Sequence, residues 1–306
     1  MSKLATVIAG VTFAAASAGG AQAAVLELDL GGAQVFSFTD FIANGNSASG
    51  SIMAGRDVSL NGYSVNQNNR DAYGQYSVIA GRDFTHTNGS VQNGATYVGR
   101  NSNVDQSGTL AQPVVGGAAP ANMGALATSL TQTSQSLAAL KATASVEQKW
   151  GGIYIAGTGS AVEVIDLNAS LLQSGSYYNF SNMAAGATLI FNFSGNSATF
   201  SQGYGNFGGY NTLLNFTDAT TLNFGVVAQA SVLAPHATVV GGGGIDGTVV
   251  VNGWNASTTL NAGRSFAAVD VPGLVLPSVV PEAETWAMML AGLGLVGFIA
   301  RRRKQA

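Results

Sequence analysis

No cysteine occurs anywhere in the chain. That excludes disulfide staples, a thiolate nucleophile and any cysteine-ligated metal cluster. Histidine occurs only as His86 and His236. His86, in Thr85-His86-Thr87, reads as an outward strand position, and His236 follows Pro235 in a turn. Neither lies near a Gly-x-Ser-x-Gly elbow, so a hydrolytic triad is not expected, and neither is a cofactor. Charge is also scarce, at 9% of residues against roughly a quarter in ordinary globular chains.

The two ends are apolar. Lys3 precedes a stretch of apolar and small residues over 4–18, and Gly19-Gly20 breaks it. Ala21-Gln22-Ala23 then fits the small-x-small rule of signal peptidase, which places cleavage before Ala24 and makes 1–23 a signal peptide. At the other end Pro281-Glu282-Ala283-Glu284-Thr285 leads into an apolar run over 286–300, beginning at Trp286 and stopped by Arg301-Arg302-Arg303-Lys304. Four cations in a row hold that end in the cytoplasm, so everything upstream lies outside. The run covers about 22 Å at 1.5 Å per residue, short for a bilayer core near 30 Å. It therefore reads as a transmembrane helix that is either kept as an anchor or cut. Pro281, Glu282, Ala283, Trp286 and Arg301 to Arg303 together resemble the PEP-CTERM sorting signal of Gram-negative bacteria that make exopolysaccharide. Ala283 stands where that signal usually has a second proline. The resemblance implies recognition by an exosortase, a passage through the inner membrane, and a final place at the cell surface or in the extracellular matrix.

Between these ends 13 acidic residues face 7 basic ones, a net charge near −6. Nucleic acid is not an expected partner. Glycine, alanine, serine, threonine and asparagine fill the place of charge, with valine, isoleucine and leucine spaced among them. A chain with regular aliphatics and a glycine or asparagine at each bend reads as ordered and mainly β.

Internal repeats sharpen this. Ser51-Ile52-Met53-Ala54-Gly55-Arg56-Asp57-Val58 recurs as Ser77-Val78-Ile79-Ala80-Gly81-Arg82-Asp83-Phe84, and Ala95-Thr96-Tyr97-Val98-Gly99-Arg100-Asn101 is a weaker third copy. Each pairs a β-prone run with a turn, as in the rungs of an irregular β-solenoid stacked about 4.8 Å apart. A β-sandwich of hairpins is the competing reading. After Pro120, Met123, Leu126, Leu130, Leu137 and Leu140 fall at helical spacing. They predict one long helix over about 121–145, near 37 Å, packed along the flank of the stack.

Strand signals resume at Leu189, Phe191 and Phe193, then Leu213-Leu214-Asn215-Phe216, Leu233-Ala234-Pro235-His236-Ala237 and Thr248-Val249-Val250-Val251. With the Asn/Ser-rich opening at 44–50 and the Gly-Arg rungs, this order resembles the choice-of-anchor A domain family over residues 36–266. His236 replaces that family's usual asparagine. The resemblance implies a surface-associated domain, here spanning 24–275, followed by the sorting tail at 276–306.

Few residues point to chemistry. Asp57 and Asp83 hold equivalent repeat positions and read as a turn ladder with Arg56 and Arg82, or alternatively as paired carboxylates of a glycan enzyme. Gly241-Gly242-Gly243-Gly244-Ile245-Asp246 matches a calcium-binding turn, with Asp246 as ligand; a plain solenoid turn is the competing reading. Tyr63, Tyr73, Tyr76, Tyr97, Tyr204, Phe207 and Tyr210 are the aromatics read as able to face out. Tyr204, Phe207 and Tyr210 share a glycine-rich loop suited to stacking on sugar. Consecutive threonines occur only at Thr220-Thr221 and Thr258-Thr259, too few for a flat threonine array. The expectation is a non-enzymatic, exosortase-sorted surface or matrix protein with a structural or exopolysaccharide-associated role. A polysaccharide-modifying enzyme and a cell adhesin are the alternatives.

Overall fold

The computed structural model describes residues 24–276. The transmembrane helix expected over 286–300 and the signal peptide lie outside these residues. No helix among the described residues is long and apolar enough to cross a membrane.

The described chain is mainly β and coils as a solenoid of parallel, stacked strands. Its first rung is Val35–Ser37, Phe41–Asn44 and Ser47–Ala48, and its second is Ile52–Ala54, Val58–Asn61 and Ser64–Val65. The 26-residue repeat offset is the pairing register itself: Ile52 lies beside Val78, and Val58 beside Phe84. The third copy follows suit, with Tyr97 beside Ile79. Among the described residues antiparallel pairing is confined to Ala24–Leu26 with Val269–Val271, Ser145–Lys149 with Gly152–Ala156, and an isolated bridge at Ala72. Parallel stacking of this kind is not the sandwich of hairpins. The recurrent glycine of the Gly-Arg turn has a steric cause. A Cβ on Gly81 would fall on the carbonyl oxygen of Gly55, and one on Gly99 on that of Gly81.

Rungs are not stacked in sequence order. The first half grows away from Val35 towards Val114–Val115. The helix Met123–Ala138 then carries the chain back, and a second half runs from Val162–Asn168 through Thr188–Ser194, Asn211–Phe216 and Ser231–Gly241 to Val249–Ala256. That last strand pairs in parallel with the first rung: Val35 with Val249, Phe36 with Val250, Phe41 with Trp254. The Trp254 and Phe41 rings stack at 5.0 Å, and Tyr63 Oη donates to Thr258 O at 3.1 Å across the same seam.

The helix has 16 residues, not 25. Asn122 caps its start, accepting from the Ala125 N–H at 3.0 Å, and the chain turns off after Ala138. At about 24 Å it covers only part of the stack, mainly the strands of the second half. Leu130 and Leu137 bury there against Ile190, Leu213 and Leu233, while Leu26, Leu28, Leu30, Val271 and Leu274 belong to the same apolar layer. Two stacked asparagines secure it. Asn215 Nδ2 donates to Ser134 O at 3.0 Å and to Asn192 Oδ1 at 2.9 Å, and Asn192 Nδ2 donates to Leu137 O at 2.9 Å. Carbonyls in the last helical turns thereby gain partners.

Inside the coil the halves are filled differently. Valine, isoleucine and alanine predominate in the first, beside Phe41, Tyr63 and Phe84; ring ladders fill the second, with Phe193 on Phe216 at 4.6 Å and Phe200 on Phe224 at 4.2 Å. His86 is also inside. The expectation of an outward position fails because the strand alternation puts Phe84 and His86 inward and Thr85 outward. Neither ring nitrogen of His86 has a hydrogen-bond partner. Burial pushes its pKa down, against the opposing pull of backbone carbonyls and the Asp105 carboxylate.

Two outcomes follow from this interior. Trp254→Ala opens the seam between first and last rungs and should destabilise by about 3–5 kcal/mol, measured by denaturant unfolding. Loss of one half with the other intact would show that the seam does not couple them. For His86, the folded pKa lies below the unfolded one, so the unfolded chain binds the proton first and stability falls as pH drops below about 6.5. The wild type should lose more melting temperature between about pH 7 and pH 5 than His86→Leu does. Parallel curves for the two proteins would place the effect elsewhere.

Candidate functional site

Tyr204 and Phe207, expected to meet sugar, are buried, and Tyr210 is half-buried. Their loop forms a short 3-10 turn, Gly205–Gly209, that plugs the ring-filled interior. Phe207 stacks on Phe191 at 5.1 Å and meets Tyr178 edge-on at 5.0 Å, while Tyr210 packs against Phe180. Tyr204 Oη donates to Leu172 O, and burial pushes its pKa up to about 12. Glycines let the loop fold inward, so the rings that looked presented are core. Tyr63 and Tyr97 are likewise buried; Tyr73 is exposed.

The carboxylates of the repeats form the ladder. Asp40 Oδ1 accepts from the Asp57 N–H, Asp57 Oδ1 from the Asp83 N–H, each at 3.2 Å, and Asp83 Oδ1 from the Asn101 N–H at 3.1 Å. Arg56, Arg82 and Arg100 each pair with the aspartate one rung back, at 3.4 to 3.9 Å. The Asn101 N–H is the main reason the Asp83 carboxyl sits below its usual range. Asp246, the calcium candidate, stands in the same arrangement. It accepts from the Gly263 N–H at 2.8 Å and pairs with Arg264 at 3.5 Å. Among the described residues no group of three His, Asp or Glu side chains could hold a metal. His236 lies at an exposed strand position, not in a turn. Asp166 and Asp218 line a cleft of about 510 Å³ beside the end of the helix, where Asn192 Nδ2 reaches Asp166 at 3.5 Å.

The signal-cleavage residues Ala21 and Ala23 and the sorting residues Pro281, Glu282, Ala283, Trp286, Arg301, Arg302 and Arg303 lie outside the described residues. Ala24 opens the strand that pairs with Val269–Val271.

Among the described residues, two faces of the coil lie away from the helix Met123–Ala138. On one, Asn103, Thr85, Ser59, Ile42 and Asn255 stand in register on successive strands, with Thr87, Asn61 and Asn44 in a second column. On the other, Thr109 stands beside Ser90, and Ser64 beside Ser47. Ser90 and Ser64 join these pairs through hydroxyls 3.3 Å apart. Hydroxyls and amides therefore stack at a spacing of about 4.8 Å, interrupted in the first column by Ile42, an array invisible in sequence because each member comes from a different rung.

The sequence reading also missed an aromatic tip. Ser145–Lys149 and Gly152–Ala156 form a hairpin whose two-residue turn is Trp150-Gly151. Trp150 is 81% exposed, the most of any large apolar residue described, and Tyr177 is 40% exposed. Tyr154 meets Trp150 and Tyr177 edge-on, each at 5.8 Å, and its hydroxyl lies 2.6 Å from that of Tyr177. Lys149 Nζ sits 5.2 Å from the Trp150 ring centre and 4.7 Å from that of Tyr154, and is neutralised by Glu147 at 2.7 Å. Lys149-Trp150-Gly151-Gly152 between two alternating segments was the available signal.

No curated protein and no solved structure matches the chain. The PEP-CTERM protein-sorting motif matches residues 279–304, which supports exosortase processing, export and a place at the surface of a Gram-negative cell. The choice-of-anchor A likeness is not among the family matches. A family model described as "Putative Ice-binding-like adhesive domain" matches residues 29–262, almost the whole described solenoid, and the chain belongs to that family.

Proposed function

We propose that this chain is a non-enzymatic adhesive protein of the cell surface or extracellular matrix. Signal peptidase and an exosortase process it, the tail holds it in the inner membrane in transit, and its solenoid then associates with exopolysaccharide. The observation that carries this reading is the pair of faces on which polar, uncharged side chains stand in register. Hydroxyls and amides stacked about 4.8 Å apart along most of a column suit many weak hydrogen bonds to a polymer of hydroxyls. Scarcity of charge lowers the desolvation cost of such contact. The ladder aspartates support a structural rather than catalytic role, since backbone N–H groups and arginines occupy them.

Polysaccharide hydrolysis is a second reading, favoured only by Asp166 and Asp218 sharing a cleft. Release of reducing ends by the exported protein, lost in Asp218→Asn, would replace the adhesive reading with this one.

Two measurements test the proposal. Cells expressing the full chain should hold it at the surface or in the matrix, while a chain ending at Val280 should appear in the medium. Equal release of both would sink the sorting role of the tail. Thr85→Lys places a charge in the middle of one polar column. It should lower retention on the cell's own extracted polysaccharide by about fivefold through desolvation, with an unchanged melting temperature. Undiminished retention would remove that face from the contact.

A further inference from the structure

The geometry points to the aromatic tip as a separate saccharide-binding site, in which a pyranose ring stacks its C–H face on Trp150 beside Tyr154 and Tyr177. It belongs to the three-stranded sheet Ser145–Lys149, Gly152–Ala156 and Tyr178–Ser181. Ile153, Ile155 and Tyr178 of that sheet bury in the solenoid core. The alternate positions Glu147, Tyr154 and Asn179 stand opposite one another on the other side. The tip is thus held on a rigid base and faces away from the fold.

Two features maintain the rings against a local cost. Trp150 has φ +51° and Gly151 φ +77°, the pair of positive values that a two-residue hairpin of this hand requires. Asparagine or glycine suits the first position; a tryptophan there carries backbone strain. Gly152 is the second. A Cβ on it would fall inside the Tyr177 ring, so the ring lies against bare backbone. A purely structural turn would need neither device.

Chemistry selects the occupant. Exposed aromatic faces carry negative potential and attract the weakly positive C–H groups of a sugar face. Around them stand the paired tyrosine hydroxyls, Lys149, Glu147 and the exposed Ser176 and Asn179, which can donate to and accept from sugar hydroxyls. A protein partner would need about 800 Å² of matched surface on this side, far more than three rings supply. Glu147 neutralises Lys149, removing the attraction that anionic lipid would require.

The test uses the full chain purified in detergent and run through native gels containing β-glucan, soluble chitin, galactan or dextran. Wild type and Thr85→Lys should be retarded by at least one of these polymers. Trp150→Asn should lose that retardation, weakening binding about tenfold, while its melting temperature stays level or rises because asparagine accepts the turn. Gly152→Ala should weaken retardation by displacing Tyr177. No retardation of the wild type by any of the four polymers overturns the proposal, as does equal retardation of Trp150→Asn. A fall in its melting temperature with binding intact would make the ring structural. Loss of binding to phosphatidylethanolamine–phosphatidylglycerol vesicles in Trp150→Asn, with gel retardation unchanged, would assign the tip to membrane instead. Because Thr85→Lys alters the polar face alone, failure of either surface is told apart from failure of the other.

Discussion

The solenoid depends on one seam, the parallel pairing of Val35–Ser37 with Val249–Val251 and of Phe41 with Trp254. It joins strands more than 200 residues apart, so its loop-closure entropy must be met by the burial it completes. Trp254, Phe41, Phe36, Val249 and Val250 are all fully or almost fully enclosed there. With the seam formed, two half-coils become one stack with a continuous core. Without it, each half ends on an open edge of unpaired backbone groups, the usual template for unwanted pairing.

The helix follows from the same topology. A chain that builds outward from the middle must travel back before it can build inward, and Met123–Ala138 is that return path. Its leucines seal the outward apolar column of the second half, and the Asn192 and Asn215 amides tie its end to two rungs. Glu163 anchors the next segment. Burial alone would raise its pKa, but Thr143, Thr158 and Ser160 donate to it and hold the carboxyl below its usual range.

Stacking in register also accounts for the scarcity of charge. Residues at equivalent positions repeat about 4.8 Å apart, so like charges in a column would repel along its whole length. Where aspartates do stack, each takes a backbone N–H from the next rung and an arginine partner beside it. On the two polar faces the columns hold mostly hydroxyls and amides. The same constraint that stabilises the coil thus produces the surface proposed to adhere. The aromatic tip sits apart, on a hairpin added beyond the rungs, where ring packing is free of the repeat.

Much was legible in local sequence. The Gly-Arg repeats determined the rung register because a glycine must stand wherever one backbone crosses another closely, and that requirement shows as a spacing. Helical periodicity placed Leu130 and Leu137 on the buried side, and the basic cluster of the tail carried its sorting motif. Only the tertiary structure decided which way the side chains face. Alternation restarts at each corner, and no residue type marks the corner phase, so His86 and the Tyr204–Phe207 loop turned inward against expectation. The order of the rungs was also out of reach, since the seam between 35 and 249 is a contact of distant segments with no local sign. Columns such as Asn103, Thr85 and Ser59 exist only once that order is set, because stacking, not neighbourhood along the chain, brings their members together.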